Sequence, residues 1–233
     1  MKKVFLFDLD STLLQMDQNE FLKQYFSLVA KRIAKFKYDP ITFMGVFEKS
    51  ANSMVNNDGS ITNEKLFWNT LAKTYNDVGI IQNIFENFYT NDFKVLEYLV
   101  NKTDIPNKII KTLKAKGYKV ILATNPLFPK VCTYERMRWA GLDVNDFLDI
   151  TTYETSTYSK PNRNYYYELL KKNNINPSDA IMVGNDIDDD FSDIPNDIEK
   201  VLIIDHLINT NNKPIDMPSF TLKEFLEYIE NNY

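Results

Sequence analysis

The stretch Val4-Phe5-Leu6-Phe7-Asp8-Leu9-Asp10-Ser11-Thr12-Leu13 decides how the rest of the chain is read. Val4 to Leu9 is apolar except at Asp8, which predicts a strand buried on both faces, as inside a parallel sheet. Packing gives such a strand no reason to finish in two acids. Asp readily starts a turn, so Asp8 and Asp10 could be turn formers and nothing more. In open parallel sheets, however, ligands bind outside the carboxyl ends of the strands, which is where these acids fall.

Beyond Leu14 the period changes from strand to helix. Asp17 can cap a segment whose Phe21, Leu22, Tyr25, Phe26, Val29 and Ile33 recur at helical spacing. Pro40 opens a second helix through Phe43, Phe47 and Met54, which ends at the turn Asn56-Asn57-Asp58-Gly59-Ser60. Thr62 caps a third, with Leu66, Phe67, Leu71 and Tyr75 on one face, and a fourth runs from Ile80 to Tyr89. Residues 15–99 thus read as an α-helical insertion whose aromatic stripe is core between helices. Lys31, Arg32, Lys35 and Lys37 read as a solvated face.

From Pro106 the rhythm is α/β. A helix from Pro106 stops at Gly117, and the strand Tyr118–Ala123 leads to Thr124-Asn125-Pro126. A helix from Lys130 to Ala140, a short strand over Phe147–Thr152 and the loop Ser159-Lys160-Pro161 follow. A helix over Tyr165–Lys171 precedes the strand Ala180–Val183, which ends at Gly184-Asn185-Asp186. The strand Val201–Ile204 and a helix over Leu222–Ile229 close the chain. Alternating strands and helices imply parallel pairing with right-handed crossovers. The predicted architecture is a Rossmann-like parallel sheet core, residues 1–14 and 100–233, with a helical cap over 15–99.

A chain of 233 residues with 44% hydrophobic and 14% aromatic side chains can bury a sizeable core, so disorder is not expected. The net charge of −5 argues against nucleic acid as the main partner. The short apolar run after Met-Lys-Lys meets Asp8 too soon for a signal peptide, and no segment approaches the roughly 20 apolar residues of a membrane helix. Cys132 is the single cysteine, which suits a reducing compartment and a cytoplasmic location; it is expected as a core thiol on a helix. The only histidine, His206, is expected in a loop, and zinc sites built on several imidazoles are excluded.

Polar residues gather where the predicted strands end: Asp8 and Asp10, Thr124 and Asn125, Lys160, then Asp186 and Asp190. Parallel strands bring these ends to one edge. Two like charges about 4 Å apart repel by roughly 4 kcal/mol at an effective dielectric near 20, so clustered acids call for a cation. Oxygen ligands without His or Cys select Mg²⁺, which commonly bridges to phosphate. Lys160 can meet a phosphate as a point charge, and the Thr124 hydroxyl and Asn125 amide are donors suited to a phosphoryl oxygen. A carboxylate can attack phosphorus to give an acyl phosphate. Asp10, two residues beyond Asp8 on an extended chain, would leave on the same side and serve as acid for the leaving alcohol, then as base for water.

Taken together, Asp8-Leu9-Asp10-Ser11-Thr12-Leu13, Thr124-Asn125, Lys160-Pro161 and Gly184-Asn185-Asp186 with Asp190 resemble the four motifs of the haloacid dehalogenase superfamily. The resemblance implies a Rossmann-like hydrolase in which Asp8 is the nucleophile and Asp10 the acid/base. It also implies Thr124 and Lys160 as phosphate binders, Mg²⁺ held by Asp8, the Asp10 carbonyl and Asp186, and Asp190 supporting the metal or Lys160. The helical insertion resembles that superfamily's C1 cap. The run after Gly184 leaves a second register open, with Asp188 or Asp189 in place of Asp186; both are expected in solvent. The expected activity is Mg²⁺-dependent hydrolysis of a small phosphomonoester. The alternatives are a dehalogenase, a phosphosugar mutase, and an idle phosphate-binding or interaction protein. Dehalogenases of the superfamily lack the second acid because a halide leaves without a proton, and a scaffold without activity has no physical need for clustered acids.

Overall fold

The computed structural model describes residues 3–233, and the Met1-Lys2 opening lies outside the described residues. Strand β1 (Val4–Phe7) is followed by helices α1 (Gln18–Ala34), α2 (Pro40–Val55), α3 (Asn63–Leu71) and α4 (Val78–Asn87). Then come α5 (Ile105–Ala115), β2 (Lys119–Leu122), α6 (Lys130–Trp139), β3 (Asp149–Ile150) and α7 (Arg163–Lys172). Strands β4 (Ala180–Gly184), β5 (Glu199–Ile203) and β6 (Ser219–Phe220) and helix α8 (Leu222–Asn232) complete the chain.

The strands form one six-stranded sheet in the order β3-β2-β1-β4-β5-β6, with every neighbouring pair parallel. Residues alternate between its faces because strand side chains have period two. Phe5, Phe7, Val120, Leu122, Ile181 and Val183 pack with Ile109 and Leu113 of α5 and Phe225 and Ile229 of α8. Val4, Leu6, Ile121, Ala180 and Met182 pack instead against Tyr165, Tyr166, Leu169 and Leu170 of α7. With both faces covered, each large apolar side chain removed from water contributes about 1.5–3 kcal/mol.

The sequence overstates the length of some strands and misses one. The first ends at Phe7, not Leu9, and the segment expected over Phe147–Thr152 keeps only Asp149–Ile150. The two-residue β6 has no alternating pattern to betray it. After α4 the chain continues helically through a π-type turn (Phe88–Asp92) and a tighter 3-10 stretch (Phe93–Leu99). Phe88, Tyr89, Phe93 and Leu96 there are all buried, and their irregular spacing matches the change of winding.

The expected caps form: Asp17 accepts from the Glu20 N–H at 2.9 Å, and Thr62 from the Lys65 N–H. Helices α1 to α4 share an aromatic core in which Phe47 stacks on Phe85 and meets Phe67 edge-on. Phe21 of α1 meets Phe128, and Phe93 stacks on Trp139 of α6, so this core runs into the one beside the sheet. The chain enters and leaves the helical segment side by side, where the Asn101 N–H donates to the Gln15 carbonyl at 2.8 Å.

Asn63, at the first turn of α3, is fully buried. Its Nδ2 donates to the Pro126 carbonyl (3.1 Å) and the Ser159 hydroxyl (3.0 Å), and its Oδ1 accepts from Asn57 (2.8 Å). Pro126 and Ser159 flank Asn125 and Lys160, so one amide joins α3 to both loops. Asn63→Ala leaves several buried groups unpaired and is expected to lower unfolding free energy by about 1–3 kcal/mol. Urea denaturation checks this; a wild-type midpoint would show that the joint contributes nothing to stability.

Candidate active site

β1 and β4 are neighbours, yet the chain leaves β1 toward β2 on one side and leaves β4 toward β5 on the other. That divergence opens a crevice at their carboxyl ends. Asp8 stands at this edge, its N–H donating to the Val183 carbonyl at 2.9 Å. The chain then turns: the N–H groups of Thr12 and Leu14 both donate to the Leu9 carbonyl, and Ser11 takes a left-handed φ of 62°. The Ser11 hydroxyl donates to the Met16 carbonyl at 2.8 Å and holds the turn. Asp10 therefore does not follow Asp8 by strand periodicity, contrary to the sequence argument. The turn delivers it instead.

Lys160 is 1% exposed, and its Nζ donates to Asp8 Oδ1 at 2.9 Å and to Asp190 Oδ1 at 2.6 Å. Burial alone would lower the ammonium pKa; the Asp190 and Asp8 carboxylates more than offset it, so the group is held well above its ordinary range. One ammonium serves two acids. Burial pushes the Asp8 carboxyl up to about 8, with Lys160 opposing and Asp190 and Asp10 adding to the rise.

Asp190 is fixed from three sides. Its Oδ2 accepts from the N–H groups of Asn185 and Asp186, both at 3.1 Å, and its carbonyl accepts from the Tyr166 hydroxyl at 2.7 Å. It can come this close because Gly184 has no side chain; a Cβ there would lie 2.1 Å from Asp190 Oδ2. Tyr165 donates to the Thr124 carbonyl at 3.0 Å, and Thr151 donates to the same carbonyl at 2.6 Å. In the sequence these tyrosines mark only a helix; their hydroxyls fix Thr124 and Asp190.

Asn125 sits otherwise than expected. Its Oδ1 accepts the Lys160 N–H at 3.2 Å and its Nδ2 donates to Asp189 Oδ2 at 3.1 Å, so its amide ties two loops together. Asp189, expected in solvent, is drawn inward by that bond, and burial beside Asp186 pushes its carboxyl up to about 6. Asp188 does face solvent, paired with Lys213 and Asn211. Asp186 Oδ1 caps the turn, accepting from the N–H groups of Asp188 (2.8 Å) and Asp189 (3.0 Å). Burial raises the Asp186 carboxyl as well, with Asp190 and Asp188 adding to the rise against those two N–H donors.

A second buried cation was not singled out in the sequence. Arg136 on α6 is 1% exposed, and its Nη1 pairs with Asp10 Oδ2. A signal existed: Arg136 lies four residues after Cys132 and three before Trp139, on the helix's buried face. The fully buried Cys132 thiol has its pKa raised by that burial, the wrong direction for a nucleophile. His206 lies in the loop after β5, where its carbonyl accepts from Asn185.

A sequence profile described as haloacid dehalogenase-like hydrolase matches residues 2–191. The chain belongs to the haloacid dehalogenase-like hydrolases. Solved structures agree on the fold. A 2-haloacid dehalogenase from Pseudomonas syringae pv. Tomato is 18% identical with a TM-score of 0.58, covering 99% of each chain. A phosphatase of the superfamily from Thermococcus onnurineus is 16% identical with a TM-score of 0.56, covering 98% of each chain. The hydrolase YfnB from Bacillus subtilis, described as bound to magnesium, is 16% identical with a TM-score of 0.53, covering 98% of each chain. No curated protein matches the chain in sequence. No helix among the described residues is long and apolar enough to cross a membrane.

In this haloacid dehalogenase-like hydrolase, five carboxylates at the strand tips (Asp8, Asp10, Asp186, Asp189 and Asp190) face two cations, Lys160 and Arg136. The surplus is negative, and Asp10 Oδ1 is buried with no hydrogen-bond partner. Among the described residues no three of His, Cys, Asp or Glu converge closely enough to cage a metal. That combination suits Mg²⁺, which is commonly held by one or two carboxylates while the remaining positions go to water and phosphate. A zinc cage does not fit it.

Because burial raises the Asp8 carboxyl above its unfolded value, folding favours its protonated form. Its contribution to stability is fully present below about pH 4 and is lost as pH rises through about 8. In chelator, the stability of Asp8→Asn relative to wild type is therefore expected to rise as pH goes from 5 to 8.5, whatever constant offset the lost Lys160 partner imposes. Urea midpoints across that range check it; parallel pH curves would contradict it.

Proposed function

We propose that this hydrolase cleaves small phosphomonoesters with the help of Mg²⁺, through an aspartyl-phosphate on Asp8. The observation that carries the reading is the buried Lys160 ammonium shared by Asp8 and Asp190 at a strand edge with surplus negative charge. Attack by one anion on another needs that charge removed. Asp8, the Asp10 carbonyl and Asp186 would hold Mg²⁺, which neutralises phosphoryl charge when bound.

The chain's own residues carry the rest. An Asp8 oxygen attacks phosphorus, the ester P–O bond breaks, and the leaving oxygen takes a proton from Asp10. Asp10 then takes a proton from the water that attacks the acyl phosphate, which releases inorganic phosphate and frees Asp8. Lys160 and the Thr124 hydroxyl bind the phosphoryl oxygens. Asn125 contributes by tying the Lys160 loop to Asp189, and Asp190 keeps the ammonium aimed. Asp8 is only 8% exposed, which favours a small ester over a polymer. A leaving alcohol needs a proton and a halide does not, so Asp10 favours the phosphatase over the dehalogenase. The single buried thiol and the acidic net charge suit a cytoplasmic enzyme without a nucleic-acid partner.

Purified protein should hydrolyse p-nitrophenyl phosphate with Mg²⁺ and stop in excess chelator; turnover that survives chelation would overturn the metal. Asp8→Asn should cost about a thousandfold or more in kcat while leaving the fold intact, and wild-type rates would rule out Asp8 as nucleophile. Asp10→Asn should cost roughly a hundred- to ten-thousandfold on alkyl esters yet still form acid-stable phosphoenzyme from p-nitrophenyl phosphate.

A further inference from the structure

The Arg136–Asp10 pair needs an explanation that packing does not supply. Arg136 sits on the buried face of α6, and its guanidinium lies over the Phe128 ring at 4.4 Å. Its Nε reaches the Cys132 carbonyl (3.4 Å) and its Nη2 the Thr133 hydroxyl (3.5 Å), both within its own helix. Both contacts are long, so the strong partner is Asp10 Oδ2 on Nη1. Removing a guanidinium from water costs several kcal/mol, and a buried ion pair often stabilises no better than apolar residues of the same volume. An aliphatic side chain beside Phe128 and Cys132 would fill the space.

The two oxygens of Asp10 are left in different circumstances. Oδ2 is taken by a permanent N–H donor, whereas Oδ1 is buried without a partner. A guanidinium does not give up its protons, and in a protonated carboxyl the carbonyl oxygen is the better acceptor, so the pair favours Oδ2 as the carbonyl. A proton carried by Asp10 is then favoured on Oδ1.

We propose that Arg136 is a positioning residue: by holding Oδ2 it fixes the Asp10 carboxyl and makes Oδ1 the oxygen that passes the proton. This rests on the phosphatase reading above and deepens it. Oδ1–H gives its proton to the leaving oxygen as the P–O bond breaks, and Oδ1 takes one back from the attacking water. The pair also joins α6 to the turn after β1, so the acid is anchored from a helix outside its own loop.

The test compares two esters. p-Nitrophenolate leaves with little need of a proton, whereas an alkoxide needs one, so a positioning defect should depend on the leaving group. Arg136→Met is expected to lose about tenfold more kcat on glycerol 2-phosphate than on p-nitrophenyl phosphate, and Arg136→Lys should recover part of that difference. Each substitution is repeated in an Asp10→Asn background, where it should change kcat less than about twofold if Arg136 acts through Asp10. If Arg136→Met does not fold, as judged by circular dichroism, Arg136→Lys carries both comparisons. Equal losses on the two esters, or losses that persist undiminished beside Asp10→Asn, would overturn the proposal. A wild-type protein that hydrolyses neither ester would overturn the phosphatase reading and this inference with it. Wild-type turnover with additive losses would overturn only the role of Arg136.

Discussion

The structure depends on one buried ammonium. Lys160 is placed by the Asn125 side chain on its own N–H and lies between Asp8 and Asp190, which come from different loops. Removing one member of such a buried set typically costs about 3–5 kcal/mol, because an unpaired charge stays behind. Much of the surrounding structure secures that meeting. Gly184 leaves room for Asp190, Tyr166 holds the Asp190 carbonyl, and Asn63 grips the loops beside Asn125 and Lys160. Burial is what makes the arrangement useful. In water a lysine between two acids is ordinary; under this sheet edge its charge is poorly screened and acts on whatever binds next to Asp8.

A second buried cation, Arg136, meets the turn after β1. Lys160 pairs with Asp8 and Arg136 with Asp10, so the two acids of the first turn are anchored independently, one from a loop and one from α6. Leu9 stands between them after the strand has ended at Phe7, and its carbonyl accepts from the N–H groups of Thr12 and Leu14, so a turn rather than a continuing strand carries the chain to Asp10. The difference in setting matches the difference in proposed task. A nucleophile gains from a point charge that a phosphoryl group can share, and an acid/base gains from a rigid fork that leaves one oxygen free.

Much of this was legible in the residues. Continuous apolar runs bounded by Asp, Thr-Asn and Gly-Asn-Asp announced parallel strands, and the polar ends announced a shared edge. Those signals survive because they reflect burial and strand direction, which every residue of the run reports. What the sequence hid depends on contacts between distant residues. Asn63 reads as an ordinary helix start, and its burial against Pro126 and Ser159 has no local trace. Asp189 reads as a solvated acid until Asn125 reaches it. Strand period does not bring Asp10 to its place beside Asp8, since the strand stops at Phe7 and a turn carries the residue there. Arg136 was discoverable as a charge on an apolar helix face, yet its partner could be found only in three dimensions.

The surplus of acids over cations at the strand tips is the centre of this account, and a crystal structure with Mg²⁺ and beryllium trifluoride tests it most directly. The account predicts the fluoride group bonded to an Asp8 oxygen, Lys160 within hydrogen-bonding distance of a fluorine, and the metal on Asp8, Asp186 and the Asp10 carbonyl. Magnesium bound elsewhere, or an Asp8 that stays paired to Lys160 with no fluoride bound, would contradict it.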